Sequence, residues 1–176
     1  MEEIAMKKIL SFALMVLFVF AFAHFALAIH ETIPAETQIS APGPDAVKLY
    51  EYIVKLKTYT DWQLFPGKGR MYQGTQPHGS FLTTYVNDAA YYSLKDKKGM
   101  SDGSMIVKEN YNADKKLDSL TVMYKINGYN MKAGDWFWAK YGPQGKVMAS
   151  GKVEACIACH ESKKQNDFIY SATVIK

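Results

Sequence analysis

The stretch "SMIVKENYNADKKLDSLTVMYKI" (104–126) decides the fold. Its two flanks, "SMIVKENYN" and "LDSLTVMYKI", are rich in β-branched and aromatic residues, and "NADKK" between them carries the polar residues of a turn. Side chains of these types fit a pleated, half-buried surface, so the pair reads as two strands. The same texture recurs in "FLTTYVN" (81–87), "DWFWAKYG" (135–142) and "GKVMASGKV" (145–153), with "NGYNMKAG" (127–134) and "GPQG" (142–145) as turns. A longer separator, "NDAAYYSLKDKKGMSDG" (87–103), predicts a helix capped by Asn87 with Ala89 to Leu94 inside it. Upstream, "PDAVKLYEYIVKLKTYTDW" (44–62) spaces Val47, Tyr50, Ile53 and Val54 helically, which predicts an amphipathic helix of about three to four turns. "PGKGRMYQGTQPHGS" (66–80) reads as irregular turns, and a last helix is expected over "EACIACHESKK" (154–164). No internal repeat interrupts this pattern. The expected class is α+β, mainly β: an antiparallel sheet with a few helices.

The chain opens "MEEIAMKKILSFALMVLFVFAFAHFALAIHE" (1–31), with Lys7 and Lys8, a nearly unbroken apolar run from Ile9 to Phe25, and a small-x-small site at Ala26-Leu27-Ala28. That is the layout of a secretory signal peptide. The run is also long enough to serve as an uncleaved membrane anchor, since about 20 apolar residues span a bilayer. The expected organisation is a signal peptide over 1–28, a Pro- and Gly-bearing linker over 29–45, and one domain over 46–176, exported to the periplasm. Net charge is +4, and removal of the leader takes two lysines and two glutamates together. Arg70 is the only arginine. Basicity that is almost all lysine argues against a nucleic-acid reader, which uses arginine forks on bases and phosphates. It suits a solvated surface, or docking to an acidic redox partner protein.

Both cysteines of the chain lie in "KVEACIACHES" (152–162). Cys156, Cys159 and His160 form C-x-x-C-H, in an exported protein the attachment signature of c-type haem. Residues three apart share one face of a helical turn. Both sulfurs can then reach the vinyl groups along one porphyrin edge, while His160 coordinates iron. A zinc site needs four ligands and no second pair exists. A thioredoxin-like pair needs a βαβ context. One covalently attached haem c is the expected cofactor, bound by Cys156, Cys159 and His160, with His160 on the metal. Small electron carriers generally attach haem near the N-terminus, and a four-helix bundle does not suit a strand-rich body.

"TTYVNDAAYYSLKD" (83–96), "SDGSMIVKENY" (101–111), "EACIACH" (154–160) and "NDFIYS" (166–171), in this order, resemble the cytochrome P-460 family and its relatives, the cytochromes c′-beta, over roughly residues 60–172. The resemblance implies a β-sheet fold with haem at its C-terminal end, usually a homodimer. It also implies a five-coordinate or weakly capped iron that oxidises hydroxylamine or binds NO and other diatomic gases. Lys108, within Asp102, Gly103, Val107, Lys108 and Glu109, matches the lysine that bonds a meso carbon of the haem in that family. His78, in "QPHGS", falls on the approach to the distal face, where it would be a proton acceptor, a gas-stabilising donor or a sixth ligand. Glu154 matches a carboxylate before the haem motif and is the candidate pocket acid. Leu82 stands where some hydroxylamine-oxidising members carry arginine. Lys108, His78 and Glu154 are thus the candidate catalytic residues, with Lys108 also a haem contact. The rival readings are a six-coordinate electron-transfer cytochrome and a gas-binding carrier or sensor without turnover. Trp136 and Trp138 should share one strand face, with Phe137 and Tyr141 on the other, as core or as haem-pocket wall.

Overall fold

The computed structural model describes residues 40–97 and 99–171. The expected signal peptide, 1–28, and most of the expected linker lie outside the described residues. Seven strands form one antiparallel sheet: β1 (Gln63–Leu64), β2 (Tyr72–Gln73), β3 (Phe81–Val86), β4 (Met105–Tyr111), β5 (Leu117–Lys125), β6 (Trp136–Tyr141) and β7 (Val147–Gly151). From β3 to β7 each strand pairs with the next in sequence, and the short β1 and β2 share the outer edge of β3. The five long strands fall where the alternating, β-branched runs placed them. The region read as irregular contains β2, too short to carry a period.

Three α-helices occur among the described residues: α1 (Ala46–Glu51), α2 (Asp88–Asp96) and α3 (Glu154–Glu161). None is long and apolar enough to cross a membrane. The first is capped by Asp45, whose carboxylate accepts from the amides of Val47 and Lys48. It is shorter than its pattern suggested and widens into a π-helix over Tyr52–Leu56, closed by a bond from Lys57 N–H to Tyr52 C=O. The wider turn carries Ile53, fully buried, on the same side as Leu49.

Strand alternation sorts the core into two layers. On the back face, Met105 and Val107 of β4, Leu120, Val122 and Tyr124 of β5, and Phe137 and Tyr141 of β6 pack with Leu49 and Ile53. On the front face, Ile106, Met123, Trp136 and Trp138 pack with Val86, with Ala90 and Leu94 of α2, and with Phe168 and Ile169. Each large side chain buried there contributes about 1.5–3 kcal/mol. The back layer also encloses a carboxylate. Buried Glu109 accepts from Tyr59 Oη at 3.0 Å and Tyr111 Oη at 2.7 Å, and Arg70 donates to the hydroxyl of neighbouring Tyr85. Burial and the nearby carboxylate raise the hydroxyl pKa of Tyr59 and Tyr111. Lys108 and Glu109, adjacent in sequence, therefore belong to opposite sides of the sheet.

Asn87 caps α2 as expected, accepting from Ala90 N–H at 3.1 Å, and it also binds β4. Its Oδ1 accepts from Met105 N–H at 2.9 Å and its Nδ2 donates to Gly103 C=O at 2.9 Å. Three bonds from one side chain couple a helix to a central strand. Asn87→Ala is expected to cost about 2 kcal/mol, read as a lower urea midpoint with an unchanged slope.

Candidate cofactor site

Between the front face of the sheet and α3 lies a mostly apolar cavity of about 240 Å³. Its walls include Ile106, Met123 and Trp138 from the strands and Cys156, Cys159 and His160 from the helix. Lys108 and His78 line the same space. A smaller cavity, about 50 Å³, adjoins Lys108 and His160 and continues to Phe65 and Tyr170. Five segments of the chain thus converge: the turn before β3, the middle of β4, the middle of β5, the strand β6 and the C-terminal helix.

The helix presents C-x-x-C-H as its spacing requires. Cys156 is partly buried and Cys159 exposed, and neither forms a disulfide among the described residues. Burial pushes the Cys156 thiol up, so it stays protonated. His160 is buried, with its Nδ1 2.7 Å from Phe168 C=O. A carbonyl only accepts, so Nδ1 carries the proton and Nε2 keeps its lone pair, the tautomer a metal-binding imidazole needs. Burial also lowers the imidazole pKa, which favours the neutral form. Trp138 stacks edge-on against His160 at 4.7 Å between centroids, and Tyr170 at 5.1 Å.

Phe168 reaches His160 through an unusual turn. Asp167 and Phe168 both adopt left-handed backbone, φ 50° and 63°, which costs on the order of 1–3 kcal/mol for each non-glycine residue. Three contacts hold Asp167 there. Its carboxylate accepts from Lys125 Nζ at 2.7 and 2.8 Å and from Met100 N–H at 2.9 Å, and its carbonyl accepts from Trp136 Nε1 at 3.0 Å. Gly134 makes room, because a Cβ at that position would strike the Phe168 ring.

Lys108 projects from β4 on the cavity side, opposite Thr121 of β5 and Thr84 of β3. Burial, above all, brings its ammonium down to about 8. An amine so placed is a usable nucleophile near neutral pH. His78 stands on the turn between β2 and β3. Gly79 beside it packs so closely on the Tyr111 backbone that no Cβ would fit, which fixes where that turn lies. Burial, with Lys108 nearby, lowers the His78 pKa to about 4.

Glu154 occupies the exposed first turn of α3, where its charge complements the helix N-terminus, and it does not line the cavity. Leu82 is buried in β3 and lies outside the lining as well. Trp138 lines the cavity, one of the two places its strand position left open, and two contributors escaped the sequence reading: Asn110 and the Asp167 turn. Only Asn110 had a usable signal, since it lies two residues beyond Lys108 on the same strand face.

These residues suit a covalently held haem. Two free thiols one turn apart, an imidazole with Nε2 available and an apolar cavity form a coherent donor set. The indole N–H of Trp138 is buried without an acceptor among the described residues, the state expected where a bound group supplies one. Comparison with curated proteins returns no significant match. The family Cytochrome P460 matches residues 56–171, which takes in every strand, the Lys108 segment and the whole of α3. By that match, and with haem as the cofactor the family implies, this chain belongs to the cytochrome P460 family.

Proposed function

We propose that the chain carries one covalent haem c, which Cys156 and Cys159 would join and His160 would ligate, and binds or converts small nitrogen species at it. Hydroxylamine and NO are the substrates in view. One observation carries this reading: Lys108 lines the same cavity as Cys156, Cys159 and His160, with an ammonium pKa of about 8. A lysine is costly on an apolar wall, and here it has a chemical use. When bound, the haem supplies an iron whose reactivity responds to distortion of its ring.

Lys108 is the residue that would bond the ring edge. That N–C bond replaces a C–H bond, a two-electron oxidation, so it requires an oxidant of the peroxide class and a base for the displaced proton. The neutral amine is the nucleophile. Its fraction rises with pH through the lysine's pKa, so bond formation is expected to accelerate as pH rises toward about 8 and to level off above it. Lys108→Arg keeps the charge and removes that nucleophile. The variant is expected to retain haem but to show ordinary c-type ferrous bands, where the wild type shows a red-shifted, broadened main band. Identical spectra would remove Lys108 from the mechanism.

Export to the periplasm, a homodimeric state and exchange of electrons with a redox partner protein belong to the same proposal. Reactive-nitrogen turnover is separated from a gas carrier by consumption of hydroxylamine with reduction of an added electron acceptor. A second reading, an electron-transfer cytochrome, is favoured by the position of His78 opposite His160.

A further inference from the structure

We infer that His78 supplies the sixth ligand of the resting haem iron, so that a small ligand binds by displacing it; this rests on the haem reading above. The argument begins at Asn110. This residue is 2% exposed, and its Nδ2 lies 3.1 Å from Lys108 C=O, 3.1 Å from Ser119 C=O and 3.2 Å from Thr121 Oγ1. Two of these partners are carbonyls, which only accept, so this end of the amide is the nitrogen. Its Oδ1 must then be the atom 2.9 Å from His78 Nδ1, and His78 Nδ1 must donate to it. The proton is therefore on Nδ1 and the lone pair on Nε2.

His160 is held in the same tautomer by Phe168 C=O. Two imidazoles, each fixed through Nδ1 by a buried acceptor, thus line one cavity with their Nε2 lone pairs available. Their ring centroids are 6.5 Å apart and their planes 87° to one another. A metal ion bridging two imidazoles lies about 2.0 Å from each nitrogen, and a ring centroid sits about 1.1 Å behind its nitrogen, which puts the centroids about 6.3 Å apart. The observed separation matches that span. An iron held by His160 at that span would have no room for a third group between it and His78. Lys108 and Lys140 also line the cavity, but no hydrogen bond among the described residues orients either amine toward His160.

Behind His78 is a second, polar cavity of about 250 Å³, lined among others by Asn110, Asp118, Ser119 and Thr121. His78 borders both spaces. An imidazole displaced from iron has somewhere to turn.

The test uses the full haem-loaded protein. Electron paramagnetic resonance of the ferric wild type is expected to show a low-spin iron, and ¹⁵N-histidine labelling should reveal two coupled histidine nitrogens. His78→Ala should be high-spin and bind NO with an apparent affinity at least about tenfold tighter, because the competing ligand is gone. NO binding to the wild type should reach a rate ceiling as NO rises, whereas the variant should stay linear. A high-spin wild type with one coupled histidine would overturn the assignment, and it does so even if the variant fails to fold. A low-spin wild type that never binds NO would keep His78 as ligand and overturn the nitrogen-chemistry reading instead. Absence of haem mass on the denatured chain would overturn the cofactor reading itself.

Discussion

With Cys156 and Cys159 both replaced by alanine and Lys108 by arginine, the chain co-expressed with haem-maturation machinery is expected to release all its haem on denaturation. Mass spectrometry should find the bare polypeptide where the wild type carries one haem. The thiols are the atoms that would form the thioethers, and they occupy one turn of α3 at the cavity wall. The native triple variant still has His160, held by Phe168, so some reversible haem binding is compatible with this outcome. Haem that survives denaturation would mean that some other residue anchors the ring. Assignment of the attachment to these three side chains would then fail.

Asp167→Ala should produce the second largest effect, in two readouts. The substitution removes a carboxylate only about 15% exposed that accepts from Lys125 and from Met100 N–H, and it strands the Lys125 cation. Breaking a pair of this kind by deleting one partner costs about 3 kcal/mol, visible in urea denaturation of the haem-free chain. The same carboxylate holds the left-handed turn whose next carbonyl binds His160 Nδ1. Loosening that acceptor makes the imidazole a weaker donor to metal, so the reduction potential of the loaded protein should rise. Asp167→Asn still accepts from Met100 and should fall between the two. A loss of stability with an unmoved potential would confine Asp167 to a packing role.

Strands long enough to show alternation were legible in the sequence. β3 to β7 each carry five or more residues, and alternation assigns Trp136 and Trp138 to the front face and Phe137 to the back. β1 and β2 have two residues each, and two residues have no period. The shortening of α1 reflects contact with the sheet, which local propensity cannot report. At the site, Cys156, Cys159 and His160 were readable because their chemistry is local to one helical turn. Lys108 became visible only through family resemblance, as nothing in β4 distinguishes it from other strand lysines. The Asn110–His78 bond spans 32 residues of chain and the Lys125–Asp167 pair 42. Pairings at that range depend on the register of the whole sheet, so the turn at Asp167 left no mark in the pattern.

Because Lys108 and Glu109 point to opposite sides of β4, one strand serves two layers that need not change together. The back layer, with α1 and the tyrosine-bound carboxylate, can be conserved as scaffold while the front layer is rewritten. Substitutions at 106, 108, 110 and 121, spaced two apart or paired across the ladder, alter the cofactor's surroundings without entering the other core. A library confined to those positions would explore new reactivity on a fold whose stability is largely carried elsewhere.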